Sequence, residues 1–136
     1  MIRRVKLIGL SSGTSADGVD AALVEWPESP AAKPFRLLGY RETPFSPALQ
    51  GRIHRLAAGR VAASEALGEL ASLDVARGEL LASAAVELAA SGGVALTDVD
   101  AIGSHGQTVA HHPERRASLQ IGDPSVIAGR TGGTPG

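Results

Sequence analysis

Cysteine is absent from the sequence. That removes disulfides, thiolate nucleophiles and cysteine-based zinc sites together, and it fits a reducing compartment. Aromatic residues are scarce, with one Trp, one Tyr and two Phe. The core must therefore be built from Leu, Val, Ile and Ala, and a surface that grips single-stranded nucleic acid by base stacking lacks its platforms. Neither sign of charge dominates: 13 Lys and Arg face 14 Asp and Glu, for a net charge of −1. Without a long basic run, non-specific attraction to nucleic acid or to an anionic membrane is weak. No stretch approaches the ~20 apolar residues of a membrane helix. Residues 1–10 are basic and then apolar, the charge order of a signal peptide. The apolar part is short, however, and runs into polar turn residues without a small-residue cleavage site, so it reads as a first strand. These absences fit a cytoplasmic protein with neither nucleic acid nor membrane among its partners.

What is present suffices for one modest domain: 136 residues, 43% of them hydrophobic. Residues 5–10 form a short apolar run, residues 11–18 a turn cluster, and residues 19–26 a second apolar run, which together predict a hairpin. A loop over residues 27–34 leads to a third strand over residues 35–43. Its alternation would set Phe35, Leu37, Gly39 and Arg41 on one side and Leu38 and Tyr40 on the other. Pro44 and Pro47 break the strand. Ser46 and Pro47 open a helix to about Ala57, which Gly59 ends. A long helical stretch follows over residues 62–90, with an apolar stripe of Leu70, Leu73, Ala76, Leu80, Ala84 and Leu88. Gly78 weakens its middle and predicts either two helices or a bend. Short strands are expected over residues 101–103 and 118–121, with Pro124 opening a last helix to about Ala128. The order is an α/β pattern with an antiparallel start, and the opening hairpin argues against a Rossmann domain.

One segment invites a chemical reading. Gly13-Thr14-Ser15-Ala16-Asp17-Gly18-Val19-Asp20 lies between two apolar strands. Glycines let backbone N–H groups approach an anion, Thr14 and Ser15 add hydroxyl donors, and Asp17 and Asp20 can face a metal or its bound water. Such a turn suits a polyphosphate with Mg²⁺, because the cation offsets carboxylate–phosphate repulsion. It is not a Walker A loop, since it lacks Gly-Lys-Ser/Thr and no helix follows. Composition alone favours a solvated hairpin turn rich in Gly, Ser and Asp. The polar loop Ser104-His105-Gly106-Gln107-Thr108 at a strand end has its own alternatives: its side chains either bond a ligand's hydroxyls or bond their own backbone. A zinc site from His105, His111 and His112 is disfavoured by spacing, because adjacent strand residues point to opposite faces.

The segment Ile8-Gly9-Leu10-Ser11-Ser12-Gly13-Thr14-Ser15-Ala16-Asp17-Gly18-Val19-Asp20 resembles the opening of the anhydro-N-acetylmuramic acid kinase family. Ala101-Ile102-Gly103-Ser104-His105-Gly106-Gln107-Thr108-Val109 is similar to a second motif of that family. Leu119-Gln120-Ile121-Gly122-Asp123-Pro124-Ser125-Val126-Ile127-Ala128, with Arg130-Thr131-Gly132, is similar to a third. The resemblance implies the sugar kinase/heat-shock protein/actin fold, in which two ribonuclease-H-like domains flank a cleft. Residues 1–136 would be the N-terminal ATPase-like domain of this fold, a mixed sheet opening with an antiparallel hairpin and flanked by helices, with the second domain absent. It also implies an enzyme that uses Mg-ATP and water to open and phosphorylate 1,6-anhydro-N-acetylmuramic acid. The product is N-acetylmuramic acid 6-phosphate, in peptidoglycan recycling, and the family is usually a homodimer.

Carried over residue by residue, the resemblance assigns Gly13, Thr14, Ser15, Ala16, Asp17, Gly18, Val19 and Asp20 to the ATP phosphates, with Asp17 reaching Mg²⁺ through water. It assigns Ser104, His105, Gln107, Thr108, Asp123 and Arg130 to the sugar, with Arg130 on the lactyl carboxylate. Ala16 stands where the family commonly has Leu, and the chain ends in Gly133-Thr134-Pro135-Gly136, where the family continues toward another strand. The family's catalytic aspartate lies in an Asp-Thr-Gly-Pro-Gly-Asn motif absent from this sequence, so no residue here is assigned as the catalytic base. The competing expectation is a fragment that binds nucleotide or sugar without turnover.

Overall fold

A computed structural model describes residues 4–13, 15–27 and 35–132. The first two apolar runs form β1 (Arg4–Ser11) and β2 (Gly18–Pro27), paired antiparallel from Arg4↔Pro27 to Ser11↔Asp20. The third strand is β3 (Arg36–Pro44), on the outer edge of β2. Two helices follow. The first, α1 (Pro47–Ala57), carries Pro47 in its first turn, and the Ser46 hydroxyl accepts the Leu49 N–H at its N-terminus. The second, α2 (Ala63–Ser91), is a single helix of 29 residues. Then come β4 (Ala101–Ser104), β5 (Gln107–His112), β6 (Ala117–Ile121) and α3 (Pro124–Thr131). The main sheet has the order β3-β2-β1-β4, with β4 parallel to β1. Strands β5 and β6 form a separate antiparallel ribbon. The described part of the predicted 27–34 loop is Pro27, which closes β2; residues 28–34 lie outside the described residues.

Helix α2 organises the core. Ile8, Leu10, Val19, Ala21 and Leu23, on one face of the sheet, pack with Leu81, Ala82, Ala85, Leu88 and Ala89. A second cluster of Ala16, Ile53, Leu73, Val109 and Ile121 joins the hairpin turn, α1, α2 and the β5–β6 ribbon. No helix among the described residues is long and apolar enough to cross a membrane.

Two expectations change and a third is decided. Helix α2 is one helix rather than two; at Gly78 the missing side chain serves packing, since a Cβ there would lie 2.9 Å from the Asp123 carbonyl oxygen. Its buried stripe runs through Leu73, Arg77, Leu81, Ala84, Ala85 and Leu88, whereas counting apolar residues alone stepped through Ala76 and Leu80 and so passed around a charged residue. In β3, a register shift opposite Leu23/Val24 breaks the expected alternation. Leu37 pairs with Val24 while Gly39 pairs with Leu23, so these two no longer share a face. Leu38 packs on the core, and Leu37 and Tyr40 are exposed.

Candidate phosphate and ligand site

Because β1 and β4 run parallel with Leu10 opposite Ser104, the loops that follow them emerge at the same end of the sheet. This brings the glycine-bearing hairpin turn beside the Ser104-His105-Gly106 loop. The two are bonded directly: the His105 N–H donates to the Leu10 carbonyl at 3.1 Å, and the Ser12 hydroxyl donates to Gln107 Oε1 at 2.6 Å. The Gln107 amide in turn donates through Nε2 to the Gly13 carbonyl at 3.1 Å and to the Thr108 carbonyl at 3.3 Å. Gln107 is 1% exposed and Ser12 is buried, so this amide ties the two loops together.

The turn is also held from the other side. The Ala16 N–H closes onto the Gly13 carbonyl at 3.0 Å, and Ala16 adopts a left-handed φ of 52°, which is unfavourable for a residue with a Cβ. Burial compensates, since Ala16 is a fully buried member of the second cluster. The Ser15 carbonyl accepts from Gln50 Nε2 at 3.0 Å and lies 2.8 Å from His54 Nε2, both on α1. The Asp17 carbonyl accepts the Phe45 N–H at 2.9 Å. Gly18 is required by close approach, because a Cβ there would stand 2.6 Å from the Thr43 carbonyl oxygen. The bend is therefore a built structure rather than a loose solvated turn. Thr14 lies outside the described residues.

Two hollows open at this corner. One, of about 490 Å³, is lined by Asp17, Gly18, Val19, Asp20, Glu42, Thr43 and Pro44. Its carboxylates are exposed, and Tyr40 donates from its phenol to Asp20 and Glu42, both at 3.1 Å. The other, of about 330 Å³, is lined by Ser104, His105, Gly106, Gln120, Ile121, Gly122 and Pro124. The hydroxyl of Ser104, one of its lining residues, is itself buried and has no hydrogen-bond partner. Gly106 sits at φ +74°, where a Cβ would meet the Ile121 carbonyl oxygen at 2.5 Å, so only glycine lets the two loops close around this hollow.

Of the other sequence-predicted residues, Asp123 caps α3, its Oδ1 accepting the Ser125 N–H at 2.8 Å. It adjoins the second hollow through Gly122 and Pro124. Thr108 accepts from Gln120 Nε2 across the β5–β6 ribbon at 3.2 Å. Arg130 is drawn to α2, where its guanidinium bonds Glu79 and Ser83. A further hollow between α1 and α2, lined by Arg52, Arg55, Arg60, Val61, Ala62, Glu65 and Glu69, holds none of the sequence-predicted residues. No group of three or more His, Asp or Glu gathers as a metal-ligand set among the described residues. Sequence reading missed two contributors. Asp74 on α2 accepts the Gly122 N–H on Oδ1 at 2.8 Å and the Asp123 N–H on its carbonyl at 3.0 Å, fixing the second hollow's rim. Arg77, one turn along, carried no motif signal at all.

A mixed sheet with an opening antiparallel hairpin, the hairpin turn and the loop of a parallel neighbour meeting at one end, belongs to the sugar kinase and actin-like ATPase class. The family model for anhydro-N-acetylmuramic acid kinase matches residues 5–134, and the chain belongs to that family. Among similar proteins, the anhydro-N-acetylmuramic acid kinase of Aliivibrio fischeri is 39% identical over 129 residues, covering 93% of this chain and 33% of the relative. That of Caldanaerobacter subterraneus is 38% identical over 134 residues, with the same coverage of each. That of Shewanella baltica is 43% identical over 127 residues, covering 92% and 32%. The chain thus spans about a third of the length of these curated relatives.

Proposed function

We propose that this chain, residues 1–136, is the N-terminal ATPase-like domain of an ATP-dependent kinase. The kinase hydrolytically opens 1,6-anhydro-N-acetylmuramic acid and phosphorylates it to N-acetylmuramic acid 6-phosphate. The observation that carries this reading is the bonded adjacency of the hairpin turn and the Ser104-His105-Gly106 loop at one end of two parallel strands. Phosphoryl transfer needs a polyphosphate and an acceptor fixed beside each other, and the two hollows supply neighbouring seats.

The division of labour follows from the chemistry of each wall. The segment from Gly13 to Gly18, with the hydroxyl-bearing Thr14 and Ser15 and with Ala16 between its ends, is the seat of the terminal phosphates, and Val19 and Asp20 continue it along the first hollow. Asp17, Asp20 and Glu42 make the larger hollow acidic, which repels a bare polyphosphate and favours one that arrives with a cation. Mg²⁺ is held typically by one or two carboxylates plus waters and phosphate oxygens. Asp17, at the groove and without a converging set of other ligands, fits a contact through water. When bound, the ion offsets phosphate charge. Ser104, whose buried hydroxyl is unpartnered, and His105 line the seat of the sugar. Asp123 and Thr108 border that seat, and Gln107 holds the two walls in register. Arg130 would exchange Glu79 for the substrate's lactyl carboxylate. The water-activating base belongs to none of these residues. The working enzyme is a cytoplasmic homodimer.

The test is ADP release by a full-length version that completes this chain with the remainder of a relative such as that of Shewanella baltica. Release should depend on the anhydro sugar. Asp17→Asn should lower kcat/KM by about 10–100-fold, the order expected for a group that acts on the transferred phosphoryl's charge. Sugar-independent release, or an unaltered Asp17→Asn protein, would defeat the assignment. If the chain is instead a non-catalytic binding module, it will titrate with Mg-ATP while the completed protein shows no turnover.

A further inference from the structure

Arg77 is the largest fully buried side chain in the molecule's described part, at 0% exposure. None of its three guanidinium nitrogens has a hydrogen-bond partner. Its carbon Cζ lies 4.0 Å from the centre of the Phe45 ring, and that ring is its one described polar compensation. A buried charge without a counter-charge is costly to a fold, and a single ring face returns only part of the loss. Burial pushes the Arg77 pKa down to about 10, so the group keeps its proton at neutral pH. An apolar side chain of similar length would suit this stripe of Leu73, Leu81 and Leu88 better.

The place of this cation in the fold gives the cost a purpose. The base of Arg77 packs beside Gly122, where a Cβ would come within 3.9 Å of the Arg77 Cβ. Gly122 lines the second hollow. Its far end lies on Phe45, whose N–H holds the Asp17 carbonyl at 2.9 Å. Asp17 lines the first hollow. The side chain therefore spans from the rim of one hollow to the anchor of the other, inside the protein, where solvent screening is weak.

We propose that Arg77 is a positioning residue for the phosphate turn, a buried guanidinium that fixes Phe45 against Asp17 and sets positive potential behind an otherwise acidic groove. It acts through Phe45 and through its field, without touching the nucleotide. The inference rests on the phosphate-binding reading of the turn.

The experiment compares wild type, Arg77→Met and Arg77→Lys by thermal unfolding and by calorimetric titration with Mg-ATP and with inorganic triphosphate. Arg77→Met should unfold at a higher temperature, because a desolvated charge is gone. It should nonetheless bind both anions about tenfold more weakly, and Arg77→Lys should recover most of that affinity. A merely structural arginine would move stability and affinity downward together, with no rescue by Lys; that result overturns the proposal. Equal binding by wild type and Arg77→Met overturns it while sparing the phosphate-binding reading, and a wild type that binds neither anion defeats both. Should Arg77→Met fail to fold, the structural alternative is established and the proposal falls unless Phe45→Leu, which keeps the cation but removes its ring, weakens binding without loss of fold.

Discussion

Tyr40 shows how a single side chain couples two carboxylates at the groove. Its phenol, on the sheet face opposite α2, donates to both Asp20 and Glu42. Partial desolvation first, then the hydrogen bonds to Glu42 and Asp20 and the field of those carboxylates, push its pKa up to about 12 from an ordinary 10. The sign is that of a group whose protonated form is favoured in the fold. Its contribution to stability is complete below pH ~10 and is lost as pH rises through ~12. Tyr40 is the sole tyrosine in the sequence, so ultraviolet titration of the phenolate reads it alone. The native midpoint should lie near 12, and in denaturant near 10; coincident midpoints would show that the two acceptors do not hold the phenol. Sequence reading placed Tyr40 on a strand but could not supply Glu42 and Asp20 as joint partners, because Asp20 is brought there by strand pairing. The same holds for Gln107. As one of several polar loop residues it reads as a sugar ligand, and only a neighbour 95 positions away, Ser12, draws its amide oxygen into a buried tie.

Among elements, α2 separates local preference from packing. Its 29 residues persist through Gly78, although glycine costs a helix about 1 kcal/mol relative to alanine. Gly78→Ala should therefore stabilise an isolated helix. In this protein an added Cβ meets Asp123 carbonyl oxygen at 2.9 Å, its nitrogen at 3.1 Å and Val126 Cβ at 3.1 Å. Two of those atoms are backbone at the start of α3, which cannot swing aside. Urea denaturation should show Gly78→Ala destabilised by about 1–3 kcal/mol, opposite in sign to its helix propensity; a gain in stability would mean α3 is free to shift. The ends of α1, by contrast, were legible. Ser46, Pro47 and Gly59 are local signals that need no tertiary help, and the helix occupies the predicted span. The β5–β6 ribbon is not legible as a pair, since its strands have only six and five residues and its turn over Pro113–Arg115 is an irregular 3₁₀ segment.

For the molecule as a whole, α2 covers one face of the main sheet. On the other face, Leu7, Gly9, Val24, Ala101 and Gly103 line a shallow hollow of about 410 Å³, whose floor reaches the core residues Ile8 and Ile102 between them. No helix among the described residues makes its main packing there. An apolar sheet face of this kind is a surface that takes up hydrophobic dyes and neighbours. The chain in native buffer should enhance ANS fluorescence, and Val24→Lys should reduce the enhancement while leaving the thermal midpoint within a few degrees. No enhancement in the wild type would mean the face is closed in solution.

Local composition and pattern alone determined the α/β class, the opening hairpin, α1 with both its ends and the segments that carry the family's motifs. These depend on strand period, capping residues and glycine punctuation, which act over a few residues. Tertiary structure alone decided that the hairpin turn and the Ser104 loop share one corner, that Gln107 joins them, and that Arg77 occupies a stripe otherwise built of Leu and Ala. Each of these follows from parallel pairing of β1 with β4 or from the packing of α2. Both bring together residues tens of positions apart, whose proximity leaves no trace in the residues beside them.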